Sequence, residues 1–265
     1  MNLAFATTCY TGQAQQVSWH GIAFKDGEEF SKFMKNGVAS RLYDEEGSAK
    51  FESHLRDLAS TGFAKESLDK ILSAEILEER DWAVGEAFSE AWLSAEYKVI
   101  WPWNMERDKR NPKASLPGAD LIGFIQIDEE TRLVLGEVKS SSEKKYPPQV
   151  MSGRPGYLGH QIDNLATNLS SILQLLKWLL PRCKGTEYES LYNSSINLYL
   201  NSGSKAVSLF GILIRDTAVN ELDLKARGQA LGNTIQSPTF CRLVALHMPC
   251  IIKELPTRVR GGNAL

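Results

Sequence analysis

The sequence predicts an α/β fold in which a mixed central sheet is flanked by helices. Three features carry this expectation. Ala119–Ile127 and Arg132–Lys139 are rich in β-branched and aliphatic residues, and the acidic, turn-prone Asp128–Thr131 between them makes the pair a β-hairpin. Apolar runs at Ala206–Arg215 and Arg242–Ile252 read as a buried strand and a final strand. Helical stretches over Ser67–Ala95 and Tyr157–Leu180 flank the hairpin, giving the order helix, strand, hairpin, helix, strand, or αβββαβ.

The elements follow in chain order. Residues 1–65 are read as an N-terminal accessory or docking segment, with a strand at Val17–Phe24, a short helix over Asp26–Lys35 capped by Asp26, and a helix over Ala49–Ala59. Residues 66–265 are read as the core domain. Ser67 is a good cap for the long helix to Ala95, whose apolar face includes Leu68, Ile71, Leu72, Trp82, Phe88, Ala91 and Trp92. Tyr97–Trp103 reads as a strand ended by Pro102, with Trp101 and Trp103 as packing residues rather than base-stacking platforms. Asn104–Leu116 is a polar, basic, proline-bearing surface loop. Beyond the hairpin, Ser140–Gly156 is a second loop, and the amphipathic helix from Tyr157 is expected to end at Pro181. Helices over Glu187–Leu200 and near Leu222–Leu231 follow, and the tail from Arg258 to Leu265 is expected to be mobile.

Composition narrows the class. A chain of 265 residues with 43% hydrophobic content can bury a full core, as one domain with an appendage. Thirty basic residues against 32 acidic ones give a net charge of −2, which argues against a protein that coats DNA autonomously. Basic residues nevertheless cluster locally: Lys109, Arg110 and Lys113 precede the hairpin, and Lys144, Lys145 and Arg154 follow it. Cys9, Cys183, Cys241 and Cys250 fall at no metal-site spacing and no signal peptide precedes them, so they read as reduced thiols of a cytoplasmic protein. The longest apolar stretch, around Leu169–Leu180, is interrupted by Ser170, Ser171, Gln174 and Lys177, so no membrane span is expected.

The chemistry lies in the hairpin. If Ile127 pairs with Arg132, Ile122 faces Glu137 and Asp120 faces Lys139. With a side-chain period of two, Glu137 and Lys139 share a face, and Asp120 lies diagonally across from Glu137. Two carboxylates and an amine thus converge at one end of a sheet. Hard cations such as Mg²⁺ take carboxylate, carbonyl and water oxygens, often with only one or two protein carboxylates. Asp120, Glu137 and the carbonyl of Val138 make a candidate set for Mg²⁺ or Mn²⁺, with Lys139 placed to orient an attacking water and offset charge on a phosphate.

Pro117-Gly118-Ala119-Asp120 followed by Gly136-Glu137-Val138-Lys139 resembles the pattern of the PD-(D/E)xK nuclease superfamily, with two residues inserted in its first part. The resemblance implies a restriction-endonuclease-like core and metal-dependent DNA cleavage. It also implies a further acid from the helix before the first strand, for which Glu86, after the small Gly85, is chosen over Glu90, and a glutamine on the helix after the motif, which Gln161 matches. With Trp82-Ala83-Val84-Gly85-Glu86 added, the chain resembles the HamA-like nuclease subunits of Hachiman anti-phage defence systems. That resemblance implies an effector held inactive by a superfamily 2 helicase subunit (HamB-like) and released on phage infection. A stand-alone restriction or repair endonuclease, and a non-catalytic binding subunit, are the alternatives.

Overall fold

The computed structural model describes residues 3–74, 81–108 and 118–261. The chain forms β1 (Ala6–Ala14), β2 (Val17–Phe24), α1 (Glu28–Lys32), a π-helical turn at Phe33–Val38, α2 (Ala39–Leu42), α3 (Glu45–Leu58) and α4 (Gly62–Ser73). It continues with α5 (Asp81–Tyr97), α6 (Met105–Asp108), β3 (Leu121–Ile127), β4 (Glu130–Ser141), α7 (Leu158–Thr167), α8 (Leu169–Cys183) and α9 (Glu189–Asn201). The last elements are β5 (Val207–Arg215), α10 (Lys225–Gly232), β6 (Phe240–His247) and α11 (Leu255–Val259).

All six strands form one mixed sheet in the order β1-β2-β6-β5-β4-β3. β4, β5, β6 and β2 run parallel, and the antiparallel β3 and β1 close the two edges. Every residue of β5 is buried, as expected of a central parallel strand covered on both faces. The register sets Trp19, Leu243, Gly211 and Glu137 in one row across the sheet. α7 and α10 cover that face: a Cβ on Gly211 would lie 3.4 Å from Leu158, and one on Gly228 would lie 2.3 Å from the Trp19 ring. α5 covers the other face, where Phe88 meets Phe24 edge to face at 5.2 Å and a Cβ on Gly85 would lie 3.1 Å from Ile214. The sequence therefore yields the expected α/β architecture of a mixed sheet between helices.

Several expectations change. The N-terminal segment is no separate accessory layer, since β1 and β2 extend the central sheet and Phe5, Val17, Trp19, Ile22 and Phe24 join its core. Val17–Phe24 is a strand as expected, but β1 is an exposed edge of mostly polar residues that lacks a buried alternation. Asp26 caps no helix: Gly27 holds the N-cap position, and both Asp26 oxygens bind Arg258, at 2.6 and 3.0 Å. That pair also ties down the C-terminal segment, which is helical to Val259 rather than mobile from Arg258. Residues 262–265 lie outside the described residues.

Within the described residues, the stretch expected as one long helix from Ser67 contains α4 and α5, and residues 75–80 between them lie outside the described residues. α4 starts earlier, with Thr61 Oγ1 accepting from the Ala64 N–H, and Ser67 lies in its interior. Tyr97–Trp103 is not a strand. Lys98, at φ 60°, ends α5, and a single bridge, Ile100 to Phe124, reaches β3. The Trp101 indole donates to Ser94 Oγ at 2.8 Å and that of Trp103 to the Ile122 carbonyl at 2.8 Å, so both tryptophans pack in the core as expected. The loop Asn104–Leu116 opens with α6, and its remainder from residue 109 lies outside the described residues, together with Lys109, Arg110 and Lys113.

The helix expected over Tyr157–Leu180 breaks at Asn168, whose ψ of 92° is non-helical and whose side chain caps α8 through the Ser171 N–H. Pro181 does not end α8, which runs on to Cys183 with the proline in its last turn. The final strand stops at His247, and the residues to Ile252 turn away from the sheet. Among the described residues, no helix is long and apolar enough to cross a membrane.

Because β1 and β2 complete the sheet, a chain truncated to residues 66–265 is expected to lose cooperative thermal unfolding, followed by circular dichroism. A sharp transition in that fragment would instead restore the accessory-segment expectation.

Candidate active site

The hairpin turn is tighter than expected. Asp128 and Glu129 alone connect the strands, so Ile127 pairs with Glu130 and Ile122 with Leu135. This register differs by two residues from that read in the sequence, and an even slip leaves every side chain on its expected face. Extended by one pair, it sets Asp120 opposite Glu137, closer than the expected diagonal. β3 begins at Leu121, and Asp120 continues the ladder with both its backbone and its side chain: its N–H donates to the Gly136 carbonyl at 3.0 Å, and Oδ2 accepts from the Val138 N–H at 2.9 Å. The N–H and C=O of one strand residue point to the same edge, so the Val138 carbonyl also faces the side that β3 leaves open.

Lys139 Nζ donates to Glu137 Oε1 at 2.8 Å and lies 3.7 Å from Asp120 Oδ2. Glu137 is 2% exposed and Asp120 7%. Burial first, and then the neighbouring Asp120 charge, push the Glu137 carboxyl up to about 8, against the opposing pull of Lys139. Burial pulls the Lys139 ammonium down, but Asp120 and Glu137 outweigh it and hold the amine above its usual range. The cluster therefore resists ionisation of Glu137 while keeping the charge on its amine.

A cleft of about 690 Å³ opens over this cluster. Its walls come from both sides of the sheet: Asp81, Trp82 and Glu86 from α5, Gln161 from α7, Ser140 to Ser142 from the end of β4, and Ile252 and Lys253 from the C-terminal turn. Glu86, 4% exposed, shares the cleft with Asp120, Glu137 and Lys139, and its charge adds to the field that raises the Lys139 ammonium. Glu90 does not reach the cleft lining. One turn later on α5, it is fully buried and paired with Arg41 at 2.6 Å. Gly85 explains how α5 comes close enough, because its missing side chain lets the helix rest against Ser140 and Ile214.

The first turns of α7 sort themselves similarly. Asp163 pairs with Arg227 at 2.6 Å and His160 Nδ1 lies 3.2 Å from Asn164 Nδ2, whereas Gln161 turns into the cleft. Its Oε1 is buried without a hydrogen-bond partner. Such an acceptor is costly unless a water or ligand donates to it. Lys144, Lys145 and Arg154 are exposed and do not line the cleft. Sequence reasoning did not single out Ser142, the residue after β4, or Lys253, which the C-terminal turn brings to the cleft from far along the chain.

Among the described residues, no three His, Cys, Asp or Glu side chains converge closely enough to cage a metal on their own. Two carboxylates, a strand-edge carbonyl and an unpartnered amide oxygen beside open space still suit a hard cation, which keeps several waters. The donors are all oxygens, which favours Mg²⁺ or Mn²⁺ over softer metals. No family model matches the chain, and no curated protein matches it.

The raised Glu137 carboxyl has a consequence for stability. A carboxyl whose folded-state value lies above its unfolded value favours the fold at low pH, and this contribution is lost as pH rises from about 4.5 through about 8. In EDTA, thermal melts of wild type and Glu137→Gln between pH 5 and pH 9 are expected to shift in favour of the variant as pH rises, by roughly 3 °C or more. A difference independent of pH would show that Glu137 is ionised throughout.

Proposed function

We propose that the chain is a metal-dependent DNA nuclease whose active site is the Asp120/Glu137/Lys139 cluster. The observation that carries this reading is the contact of Lys139 with both carboxylates, almost wholly buried, at the floor of a cleft that also receives Glu86 and Gln161. An ordinary cross-strand ion pair lies on a solvated face, where burial imposes no cost. Here the cost of burying two acids is met in a concavity, as functional sites often require.

Asp120, Glu137 and the Val138 carbonyl would hold Mg²⁺ or Mn²⁺, with Glu86 available through a bridging water. When bound, the cation supplies Lewis-acid polarisation of a phosphate and acidifies a water. Lys139 holds a water by hydrogen bond on the side facing Glu137 and offsets negative charge growing on the phosphate. Gln161 Oε1 accepts a hydrogen bond from that water or from a substrate hydroxyl, which fixes orientation. Asp120, locked to the Val138 N–H, keeps the two strand ends from separating as charge in the site changes.

The wider proposal, that this nuclease is a defence effector restrained by a HamB-like helicase subunit, rests on the resemblance in the sequence. It has support in Phe51, Leu58, Phe63 and Ile71, large apolar side chains exposed on the successive helices α3 and α4, since such exposure suits a protein partner. The near-balanced net charge also fits a subunit to which nucleic acid is delivered.

Cleavage of DNA in Mg²⁺, abolished by EDTA, tests the reading. Glu137→Ala and Lys139→Ala are expected to lower the rate at least about 100-fold with the fold intact by circular dichroism. Glu86→Gln is expected to cost roughly 10- to 100-fold. Glu90→Gln should instead lower Tm, because it strips the buried partner of Arg41. Wild-type rates in the Glu137 or Lys139 variants would sink the assignment. Activity of the purified chain alone would favour a stand-alone nuclease, and silence until a helicase partner is engaged by DNA would favour the effector.

A further inference from the structure

We propose that the cleft accepts an unpaired DNA strand, with a base stacked on Trp82 and a neighbouring phosphate held at Lys253. The proposal rests on the nuclease reading and names its substrate.

The first observation is depth. The three acids are almost wholly buried, and the cleft above them, about 690 Å³, is the size of a small-molecule pocket. Duplex DNA has a persistence length of about 50 nm and meets such a recess as a stiff rod. A strand freed from its complement can bend into it at each nucleotide. Enzymes whose reacting atoms lie in a recess act on single strands, or pay unstacking energy to bring a nucleotide out of the duplex.

The second observation is the chemistry of the walls. Trp82 lies four residues before Glu86 on α5, so the two share one face of the helix, and both line the cleft. Trp92, Trp101 and Trp103 are buried in the core, whereas Trp82 is half-buried, packs against the core and is one of the residues lining the cleft. A π-face beside a phosphate-cleaving centre is a sequence-tolerant platform for a base.

The third observation is charge. The lining carries the acids Asp81, Glu86, Asp120 and Glu137 against the cations Lys139 and Lys253. Lys139 is committed to both central carboxylates, while Lys253 is exposed and, among the described residues, makes no ion pair. Its turn is fixed in place: Asp216 Oδ2 accepts from the Ile252 N–H at 3.0 Å and from Ser142 Oγ at 2.8 Å, tying the two walls together. Lys253, exposed on a fixed turn at the cleft wall, thus offers an ammonium to an anion that the acidic floor would otherwise repel.

Binding is measured first, in EDTA, by fluorescence anisotropy of a labelled oligothymidine 12-mer and of a hairpin duplex with closed ends, using full-length Glu137→Gln protein. The single strand is expected to bind at least tenfold more tightly than the duplex. Added Trp82→Ala is expected to weaken single-strand binding roughly 5- to 150-fold, the range that loss of one stacked base implies. Trp82→Phe should recover most of it, and Lys253→Ala should weaken binding and flatten its salt dependence. The exposed Lys253 and the conservative Trp82→Phe keep the test informative where Trp82→Ala disturbs packing. Equal binding of closed duplex and single strand, or wild-type affinity in both Trp82→Ala and Lys253→Ala, overturns the proposal. Wild-type protein that cuts supercoiled closed plasmid as fast as single strand also overturns it while upholding the nuclease reading. Strand binding at Trp82 and Lys253 without cutting in Mg²⁺ supports the strand site and removes the hydrolytic reading.

Discussion

The constraint on which the rest of the structure depends is that two carboxylates, Asp120 and Glu137, are buried around one ammonium. Taking ionised acids out of water is expensive, and a partner repays the cost only with close contact and further hydrogen bonds. Lys139 supplies the contact, at 2.8 Å from Glu137 and 3.7 Å from Asp120, and the Val138 N–H supplies a hydrogen bond to Asp120. Burial, and then the charge of Asp120 beside a single shared ammonium, raise the proton affinity of Glu137. The site is therefore held in a state that a divalent cation would relieve, since bound metal favours the deprotonated ligand.

That arrangement needs a strand covered on both faces yet open along one edge, which β4 provides. Its partner β5 is parallel and wholly buried, while β3 starts only at Leu121 and leaves the last residues of β4 without a backbone neighbour on that side. α7 on one face and α5 on the other then bring Gln161 and Glu86 to the same opening. Clefts beyond the carboxyl ends of parallel strands are the usual binding places of open α/β sheets, because the crossover connections diverge there. The far half of the sheet, β6 with β2 and β1, gives this end a rigid support at a distance from the chemistry.

How much of this was legible follows from the range of each interaction. The hairpin was legible because β-branched and aliphatic runs on either side of a turn are a local signal, and the two-residue difference in register is even, so Asp120, Glu137 and Lys139 stay on one face. Glu86 and Glu90, one turn apart, share a helix face, so in the sequence Gly85 alone favours Glu86. What separates them is Arg41, 49 residues before Glu90, whose guanidinium takes Glu90 and leaves Glu86 to the cleft. β1 was invisible because an edge strand exposed on its outer side has no buried alternation to show, although it completes the sheet. The break at Asn168 is a side-chain cap competing with the helix ladder, a choice that Asn leaves open in sequence and that packing decides.

The two acids of α5 show how fold and chemistry share one element. Gly85 sets the depth of the helix against β4 and β5, and a side chain there would push into Ser140 and Ile214. With the depth fixed, rotation along the helix assigns Trp82 and Glu86 to the cleft and leaves Glu90 to Arg41, which also donates to the Trp103 carbonyl at 2.5 Å. The structural pair thus anchors the same helix that brings Glu86 to the cleft. Moving Glu86 would require moving Glu90, and Glu90 is held by a buried ion pair whose loss leaves an uncompensated charge. The position of the cleft acid is in this way enforced by the core rather than by the cleft, which keeps it in place when charge in the cleft changes.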